Sequence, residues 1–422
     1  MLSSVDSCFE NHRLLERQIY QARWVFPVAG PPLPDATVEI EGTRIAAVYA
    51  DTHPRAIDLG NVALIPGLVN AHTHLEFSQL RAPLEPASPF TDWIRAIMKS
   101  RFETEQPVTE RIQLGITECL SSGTTLVGEI ATSVESLRLF NTESQVPRAV
   151  VFRECLGLTP DRKEGQEQVA AEFLAEPLAP AAVERLCPGL SPHAPYSVHP
   201  DLYLNLVQRA RDQGVPAAVH LGETAAEYDL LERKSGAFVD LLSELGLWDP
   251  EILKDGMRMT DYLAPLAELP AALAVHGNYF NPTECEFLRG APSISVVYCP
   301  RTHHYFGHSE HPWLSMIEQG INVALGTDSR ASNPDLSLWS ELQFLRERYP
   351  QVATALILEC GTLAGARALG YSDNTGSLEA GKAADLALIQ LPDDFDGGTD
   401  TDLLLDSRSY VARVMLNGQW IN

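Results

Sequence analysis

The chain has 422 residues, of which 45% are apolar, and it carries a formal net charge of −25. This length allows one large domain with a small appended one, and the negative charge excludes nucleic acid and anionic membrane surfaces as partners, because both repel it. The opening segment MLSSVDSCFENHRLL has charges where a secretory signal needs apolar residues, and no run of about 18 apolar residues occurs, so we expect a cytoplasmic protein.

Eight short apolar segments recur along the chain, and each is followed by a helical or amphipathic stretch. Segments that are apolar throughout, such as AAVHL and ISVVYC, are typical of strands buried on both faces of a parallel sheet. Eight of them alternating with helices predict a (β/α)8 barrel. The predicted strands are Leu68–His74, Thr124–Ile130, Arg148–Cys155, Gly189–Pro195, Ala217–Glu223, Ala272–Asn278, Ser293–Cys299 and Asn322–Ser329.

Five intervening segments have apolar residues at three- and four-residue steps, and most end at a glycine, as helices often do. They are TDWIRAIMKSRF, TERIQLGITECLSSG, PDLYLNLVQRARDQG, GAFVDLLSELG and PWLSMIEQG. We predict a helix in each.

The two ends of the chain have a different pattern, of short alternating strands separated by turns. We infer a small β-sandwich domain built from residues 1–66 and 371–422, flanking a barrel of residues 67–370. The alternative fold is a doubly wound α/β sheet, but no glycine-rich phosphate loop follows any predicted strand.

Seven cysteines are scattered at positions 8, 119, 155, 187, 285, 299 and 360, with no Cys-x-x-Cys pair. This pattern favours buried reduced thiols and excludes a cysteine-based zinc site.

Polar residues that can bind a metal end the predicted strands, and in a parallel barrel functional side chains lie where strands end. His72 and His74 end the first strand and point to the same side, although this pair alone is equally compatible with packed core histidines. His220 ends the fifth strand, with Glu223 in the following loop, where a glutamate can transfer a proton.

The sixth strand ends in His276 and the eighth in Asp328. An aspartate at the end of a buried apolar strand is costly to desolvate unless it binds a cation or accepts strong hydrogen bonds. Since all of these residues converge on one rim of the barrel, we favour a metal-dependent site over chance placement.

The ordered set of motifs resembles the amidohydrolase superfamily over nearly the whole chain. The similar segments are LIPGLVNAHTHLEFSQL, SPHAPYSVHPDL, VHLGET, AVHGN, ALGTDSRASNPDLSLWSEL and ARALGYSDNTGSLEAGKAADLALI. The most similar branch contains cytosine and guanine deaminases, S-adenosylhomocysteine/methylthioadenosine deaminases and triazine chlorohydrolases.

The resemblance implies one divalent metal per subunit, held by His72, His74, His220 and Asp328. Such ligands suit Zn²⁺, with Fe²⁺ or Mn²⁺ as alternatives. It also implies that Glu223 transfers a proton to the substrate ring and the leaving group, and that His276 and Asp328 orient and deprotonate the attacking water.

A second metal is not expected. Relatives with two metals bridge them with a carbamylated lysine in a strand, but none of the five lysines of this chain lies in a predicted strand. Glu154, at the end of the third strand, is a possible carboxylate ligand, but we favour an arginine or backbone partner for it.

Several residues near the strand ends are candidates for substrate contact. His193, in SPHAPY, resembles a substrate-binding histidine of the deaminase branch, and its alternative is a packed histidine at a turn. The other candidates follow the first strand, lie in the first predicted helix or belong to the third strand: Glu76, Phe77, Trp93 and Arg153.

After the seventh strand the sequence departs from the branch, with CPRTHHYFGHSEHP in place of a Cys-Pro-x-Ser-Asn turn. We favour a substrate-binding loop that includes His303 over a second metal site there. The combination of HTHLEFS with CPRTH resembles aminodeoxyfutalosine deaminases, in which case Arg301 would bind a substrate carboxylate.

The sequence therefore predicts a metal-dependent hydrolase that deaminates an amino-substituted heterocycle, such as an adenosine-like nucleoside or purine derivative. Amide, ureide or halide-releasing hydrolysis is the enzymatic alternative, because the same apparatus serves several reactions. A non-catalytic binding or assembly protein of the same fold is the other alternative. We also expect a small-molecule substrate and a possible homodimer.

Overall fold

A computed structural model describes residues 17–393 and 400–421. Residues 1–16, 394–399 and 422, which the sequence analysis assigned to the small domain, lie outside this part. The described residues form two eight-stranded sheets, one parallel and one mostly antiparallel. No helix among them is long and apolar enough to cross a bilayer.

Five strands precede the barrel and begin the mostly antiparallel sheet. They are β1 (Arg17–Val25), β2 (Leu33–Glu41), β3 (Arg44–Tyr49), β4 (Ile57–Asp58) and β5 (Val62–Pro66).

The parallel sheet contains the next eight strands, which hydrogen-bond in sequence order. They are β6 (Leu68–Thr73), β7 (Thr124–Ala131), β8 (Arg148–Cys155), β9 (Leu186–Pro192), β10 (Ala217–Leu221), β11 (Ala272–His276), β12 (Ile294–Tyr298) and β13 (Val323–Leu325). Every predicted strand is present, and most observed strands end one to four residues before the predicted end.

The first and last barrel strands meet through the backbone just beyond β13. Thr73 and Asp328 form a parallel bridge, and the backbone N–H groups of Thr327 and Asp328 each donate to the His72 carbonyl at 3.1 Å. Gly326 permits this approach, since a Cβ there would lie 2.8 Å from that carbonyl oxygen. The predicted (β/α)8 barrel is therefore confirmed.

Fourteen helices follow or connect the strands within the described ranges. They are α1 (Phe90–Glu103), α2 (Val108–Ser121), α3 (Glu135–Thr142), α4 (Pro160–Leu174), α5 (Pro200–Gln213), α6 (Ala226–Arg233), α7 (Ala237–Glu244), α8 (Met259–Leu266), α9 (Pro282–Arg289), α10 (Pro300–Tyr305), α11 (Trp313–Glu318), α12 (Leu338–Arg348), α13 (Thr354–Cys360) and α14 (Leu363–Ala368). Short 3₁₀ helices span Leu75–Phe77 and Asp400–Leu405. The five predicted helices correspond to α1, α2, α5, α7 and α11.

The chain returns to the mostly antiparallel sheet after the barrel, through β14 (Leu386–Gln390), β15 (Tyr410–Leu416) and β16 (Gln419–Ile421). β14 pairs with β5, so both ends of the chain contribute to one sheet. The predicted small β-domain from both termini is confirmed. We retain the boundaries after residues 66 and 370 as a proposal, because β5 ends at Pro66 and α14 ends at Ala368.

A buried ion pair joins the two sheets. Arg148, the first residue of β8, donates from Nε to Asp385 Oδ2 at 2.7 Å, and from Nη2 to the side-chain oxygen of Asn417 at 2.7 Å. The backbone N–H of Asn417 also donates to Asp385 Oδ1 at 2.7 Å. One carboxylate thus connects the bottom of the barrel to the β15–β16 turn.

We predict that Asp385→Ala lowers the free energy of unfolding by about 3–5 kcal/mol, because it leaves the buried Arg148 charge without its partner. Denaturant unfolding followed by circular dichroism measures this change. Glu184→Ala is the control, since Glu184 is exposed and pairs loosely with Arg44 at 3.7 Å, and it should cost less than about 1 kcal/mol. Equal effects of both variants would contradict the prediction.

Candidate active site

The polar residues predicted at the strand ends lie together at the carboxyl end of the barrel. His72 lies in β6 and His74 directly follows it, His220 lies in β10, and His276 ends β11. Glu223 and Asp328 are in the loops after β10 and β13. All six side chains are buried, with residue exposures of 8% or less.

Three histidines form a group that could hold a metal ion. One nitrogen each of His72, His74 and His220 lies within 4.8 Å of the others, and Asp328 Oδ1 is 3.5 Å from Nε2 of both His72 and His74. Among the described residues, neither ring nitrogen of His72 has a hydrogen-bond partner, nor does Nδ1 of His74. Buried polar atoms without partners are costly, and a cation would satisfy them.

Backbone contacts fix the tautomer of His220. Its Nδ1 lies 2.9 Å from the carbonyl oxygen of His193, and because a carbonyl only accepts, Nδ1 must carry the hydrogen. The lone pair of the neutral ring is then on Nε2, available to a cation.

The two carboxylate oxygens of Asp328 have different surroundings. Its Oδ2 accepts a hydrogen bond from Ser332 Oγ at 2.7 Å, while Oδ1 faces the histidines. The residue has a φ of +56°, a left-handed conformation that is unusual for a non-glycine residue. This turn directs the carboxylate into the site as the chain leaves β13.

Glu223 and His276 form a second pair beside the histidine group, with Glu223 Oε1 at 3.5 Å from His276 Nε2. Burial, and then the negative charge of Asp328, raise the pKa of Glu223 well above its usual value. Burial lowers the pKa of His276 well below its usual value. The pair therefore favours a protonated carboxyl group next to a neutral imidazole, an arrangement suited to proton transfer.

Glu227 holds the loop that carries Glu223. Its two carboxylate oxygens accept hydrogen bonds from the backbone N–H groups of Gly222 and Thr224, at 3.0 and 2.9 Å.

A second possible metal group consists of Glu154, His193 and His220, whose ligand atoms also lie within 4.8 Å. It shares His220 with the first group. Glu154 lies 3.8 Å from Arg101 and from His193, and His193 Nδ1 lies 2.6 Å from Ser197 Oγ. The arginine partner expected for Glu154 is therefore Arg101.

A cavity of about 290 Å³ opens above these residues, at the lower end of the range for small-molecule sites. His74, His220, Glu223, His276 and Asp328 line it. The remaining wall is mostly apolar and comes from α1, from the region of α7, and from the loop after β8. Its apolar residues are Phe77, Phe90, Trp93, Ile94, Ile97, Met98, Leu156, Leu158, Leu241, Leu242, Leu245 and Leu247.

Three of the residues expected to contact substrate line this cavity: His193, Phe77 and Trp93. The sequence analysis missed Arg101 and Arg162, which also line it. The spacing of α1 contained a usable signal, because Phe90, Trp93, Ile94, Ile97, Met98 and Arg101 follow three- and four-residue steps along one helix face.

The structure places Arg301, a predicted substrate contact, outside the residues that line the cavity. Its guanidinium donates to Glu341 Oε1 at 2.7 Å and to Asp335 Oδ1 at 2.6 Å, and its side chain is largely buried. The N–H groups of Arg301 therefore already bind two carboxylates of the chain itself.

The other three predicted contacts also lie outside the cavity wall. The Glu76 carboxylate accepts hydrogen bonds from the backbone and hydroxyl of Thr132. The Arg153 guanidinium donates to the carbonyls of Ala131 and Glu154 at 3.1 and 2.8 Å. His303 is buried against Tyr298, with ring centroids 5.5 Å apart.

Comparison with known proteins agrees with this geometry. A 5-methylthioadenosine/S-adenosylhomocysteine deaminase of Moorella thermoacetica is 28% identical, over 94% of this chain and 91% of the relative. The Helicobacter pylori aminofutalosine deaminase, solved with methylthio-coformycin, has a TM-score of 0.81 at 25% identity and covers 96% of this chain and 100% of its own. An adenosine deaminase from Xanthomonas campestris with bound zinc has a TM-score of 0.74 at 26% identity, covering 96% and 92%.

The family model described as "Amidohydrolase family" matches residues 63–421, which include the whole barrel and every residue of the candidate site. The resemblance inferred from the sequence motifs is thereby confirmed. The chain belongs to the amidohydrolase family and is a hydrolytic enzyme acting on carbon–nitrogen bonds.

Proposed function

We propose that this enzyme is a metal-dependent deaminase of an adenosine-like nucleoside. The observation that carries the proposal is the convergence of unpartnered histidine nitrogens, Asp328 and the Glu223–His276 pair at one end of a mostly apolar cavity. The names of the relatives support the substrate class, since they include methylthioadenosine/S-adenosylhomocysteine, aminofutalosine and adenosine deaminases.

In this proposal His72, His74, His220 and Asp328 would hold one divalent cation. Neutral imidazoles and a carboxylate suit Zn²⁺, and Fe²⁺ or Mn²⁺ accept the same donors. One ion per subunit is proposed because the second possible group shares His220 with the first. Such a cation would supply the means to activate a water molecule near neutral pH.

The chain's own residues would move the protons of the reaction. As water oxygen bonds to the carbon bearing the amino group, Asp328 accepts a water proton while Glu223 donates its proton to the adjacent ring nitrogen. Glu223, now ionised, accepts the proton of the new hydroxyl group and transfers it to the amino nitrogen, so the carbonyl forms, the carbon–nitrogen bond breaks and ammonia leaves. Return of the first water proton from Asp328 to Glu223 restores the starting state. His276, 3.5 Å from Glu223, orients the water and stabilises the charge that develops.

The apolar wall would bind the part of the substrate beyond the purine. Leu241, Leu245 and the α1 face offer contact area to an apolar spacer. Arg162 also lines the cavity; it is exposed, and within the described part of the chain its guanidinium has no hydrogen-bond or ion-pair partner. We therefore propose that the 5′ substituent of the substrate ends in an anionic group such as a carboxylate.

The function is tested by incubating zinc-loaded enzyme with adenosine, 5′-methylthioadenosine and S-adenosylhomocysteine and following loss of the adenine absorbance and release of ammonia. We expect turnover of at least one of them. Glu223→Gln, which keeps the size but removes the titrating group, should lower kcat by about 10²–10⁴-fold. Hydrolysis of a linear amide or ureide with no action on any 6-aminopurine would instead support the alternative reaction.

Removal of the metal should abolish activity. We expect about one equivalent of metal per chain by elemental analysis, loss of turnover after chelation, and recovery when Zn²⁺ is restored. His72→Asn should lose both metal and activity, whereas His304→Asn should keep both, because His304 is exposed and contacts Phe344. A folded wild-type protein without metal, and with no activity on adding it, would favour a non-catalytic member of the fold.

Arg162 should discriminate between substrates by charge. Arg162→Ala should raise KM for S-adenosylhomocysteine, which carries a carboxylate, by about tenfold through loss of a charge-assisted hydrogen bond. The KM for uncharged 5′-methylthioadenosine should change by less than about twofold. Arg162→Lys, which keeps the charge, should lie between wild type and Arg162→Ala. Equal changes of KM for both nucleosides would contradict the proposal that the substrate carries an anionic 5′ substituent.

A further inference from the structure

The histidine-rich tract CPRTHHYFGHSEHP follows β12. None of the proposed proton transfers uses one of its histidines. None of its histidines lines the cavity, so the structure does not support a substrate-binding loop there. The metal-ligating groups found among the described residues are the two in the candidate site, so the tract is not a second metal site within that part of the chain. Its role must come from its contacts with other parts of the barrel.

One contact connects the tract to the candidate site. His311 Nε2 lies 2.8 Å from the backbone carbonyl oxygen of His276. Since a carbonyl only accepts, Nε2 of His311 must carry the hydrogen. The other nitrogen, Nδ1, is buried and has no partner, and burial lowers the pKa of His311 to about 3. A neutral ring protonated on Nε2 accounts for both observations.

The His276 carbonyl needs such a donor because of the backbone conformation at the end of β11. His276 has a φ of +72° and Gly277 a φ of +61°, so two successive residues are left-handed and turn the chain out of the strand. For a non-glycine residue this conformation costs roughly 1–2 kcal/mol, and it persists only where the surrounding structure holds it.

His311 is itself firmly held. Its ring stacks on Tyr298, with centroids 4.0 Å apart and planes 21° from parallel, and Tyr298 is fully buried in β12. Tyr298 in turn stacks near Trp313 of α11. The donor therefore projects from a packed aromatic wall that extends from β12 to α11.

We propose that His311 is a positioning residue, whose Nε2–H group holds the His276 carbonyl and thereby keeps the His276 imidazole directed at Glu223. The proposal rests on the proposed function, in which His276 orients the water beside Glu223. His311 does not touch the substrate.

Two variants separate the hydrogen bond from the space that the ring fills. His311→Phe keeps an aromatic ring against Tyr298 but has no donor, and His311→Gln supplies an amide N–H at a similar reach. We expect His311→Phe to lower kcat by about tenfold, with KM and metal content unchanged, because the substrate and metal contacts remain. His311→Gln should keep kcat within about threefold of wild type.

His304→Phe is the matched control, since this exposed histidine belongs to the same tract and should leave kcat unchanged. Wild-type kcat in His311→Phe would overturn the proposal. Equal losses in His311→Phe and His311→Gln would also overturn it, because the ring's shape and not its donor would then matter. A rise in KM alone would indicate a substrate contact and reject the positioning role.

Crystal structures of the same variants test the proposal without any substrate. In His311→Phe the His276 ring should move so that Nε2 no longer lies near Glu223, while His311→Gln should keep the wild-type position. An unmoved His276 ring in His311→Phe would overturn the inference. If the wild type deaminates no 6-aminopurine nucleoside, the proposed function fails, and this structural comparison still decides the role of His311.

Discussion

The burial of imidazoles and carboxylates at one end of the barrel is the constraint on which the rest of the site depends. Burial lowers the pKa of His74 and His220 well below the usual value, because an apolar surrounding disfavours the charged ring. Neutral rings present free lone pairs, and Oδ1 of Asp328 lies 3.5 Å from Nε2 of His74 and from Nε2 of His72. A shared cation would satisfy the unpartnered nitrogens and the carboxylate together, which favours metal binding at this place.

The same backbone that closes the barrel also positions two of the proposed ligands. The His72 carbonyl accepts the N–H groups of Thr327 and Asp328, so the hydrogen bonds that join the first and last strands bring His72 and Asp328 together. A change that loosened this closure would separate two members of the site at once. Barrel stability and site geometry therefore depend on the same few hydrogen bonds, as expected where functional residues end parallel strands.

The sequence predicted which side chains at the strand ends the structure brings together, and the physical reason is the regular direction of side chains in a strand. Arg153 and Glu154 show the limit of this reasoning. They are adjacent in β8, and alternation sends Glu154 towards the cavity while Arg153 donates to the Ala131 carbonyl on the neighbouring strand. The pattern alone does not say which of the two faces inward.

Arg301 shows a second limit, since the partners of its side chain lie far along the chain. Its carboxylate partners, Asp335 and Glu341, lie 34 and 40 residues away, and only the folded structure brings them to the guanidinium. Helix α1, which lines the cavity, differs from Arg301 in this respect. The helical spacing of its apolar residues is visible in the sequence, and its helix was predicted. The sequence does not show that the apolar face of α1 covers the candidate site instead of packing against the outside of the barrel.

Chemistry and specificity are therefore encoded in different parts of the chain. The residues proposed to react lie at or just after the ends of strands that the barrel fixes. The wall proposed to face the substrate comes mainly from α1, the region of α7 and the loop after β8, which can change without moving a strand. That wall is mostly apolar, and its two arginines, Arg101 and Arg162, are solvent-exposed, so water weakens their charge interactions. Arg101 is partly neutralised by Glu154 at 3.8 Å, so Arg162 is the wall residue that we propose to select a substrate by its charge.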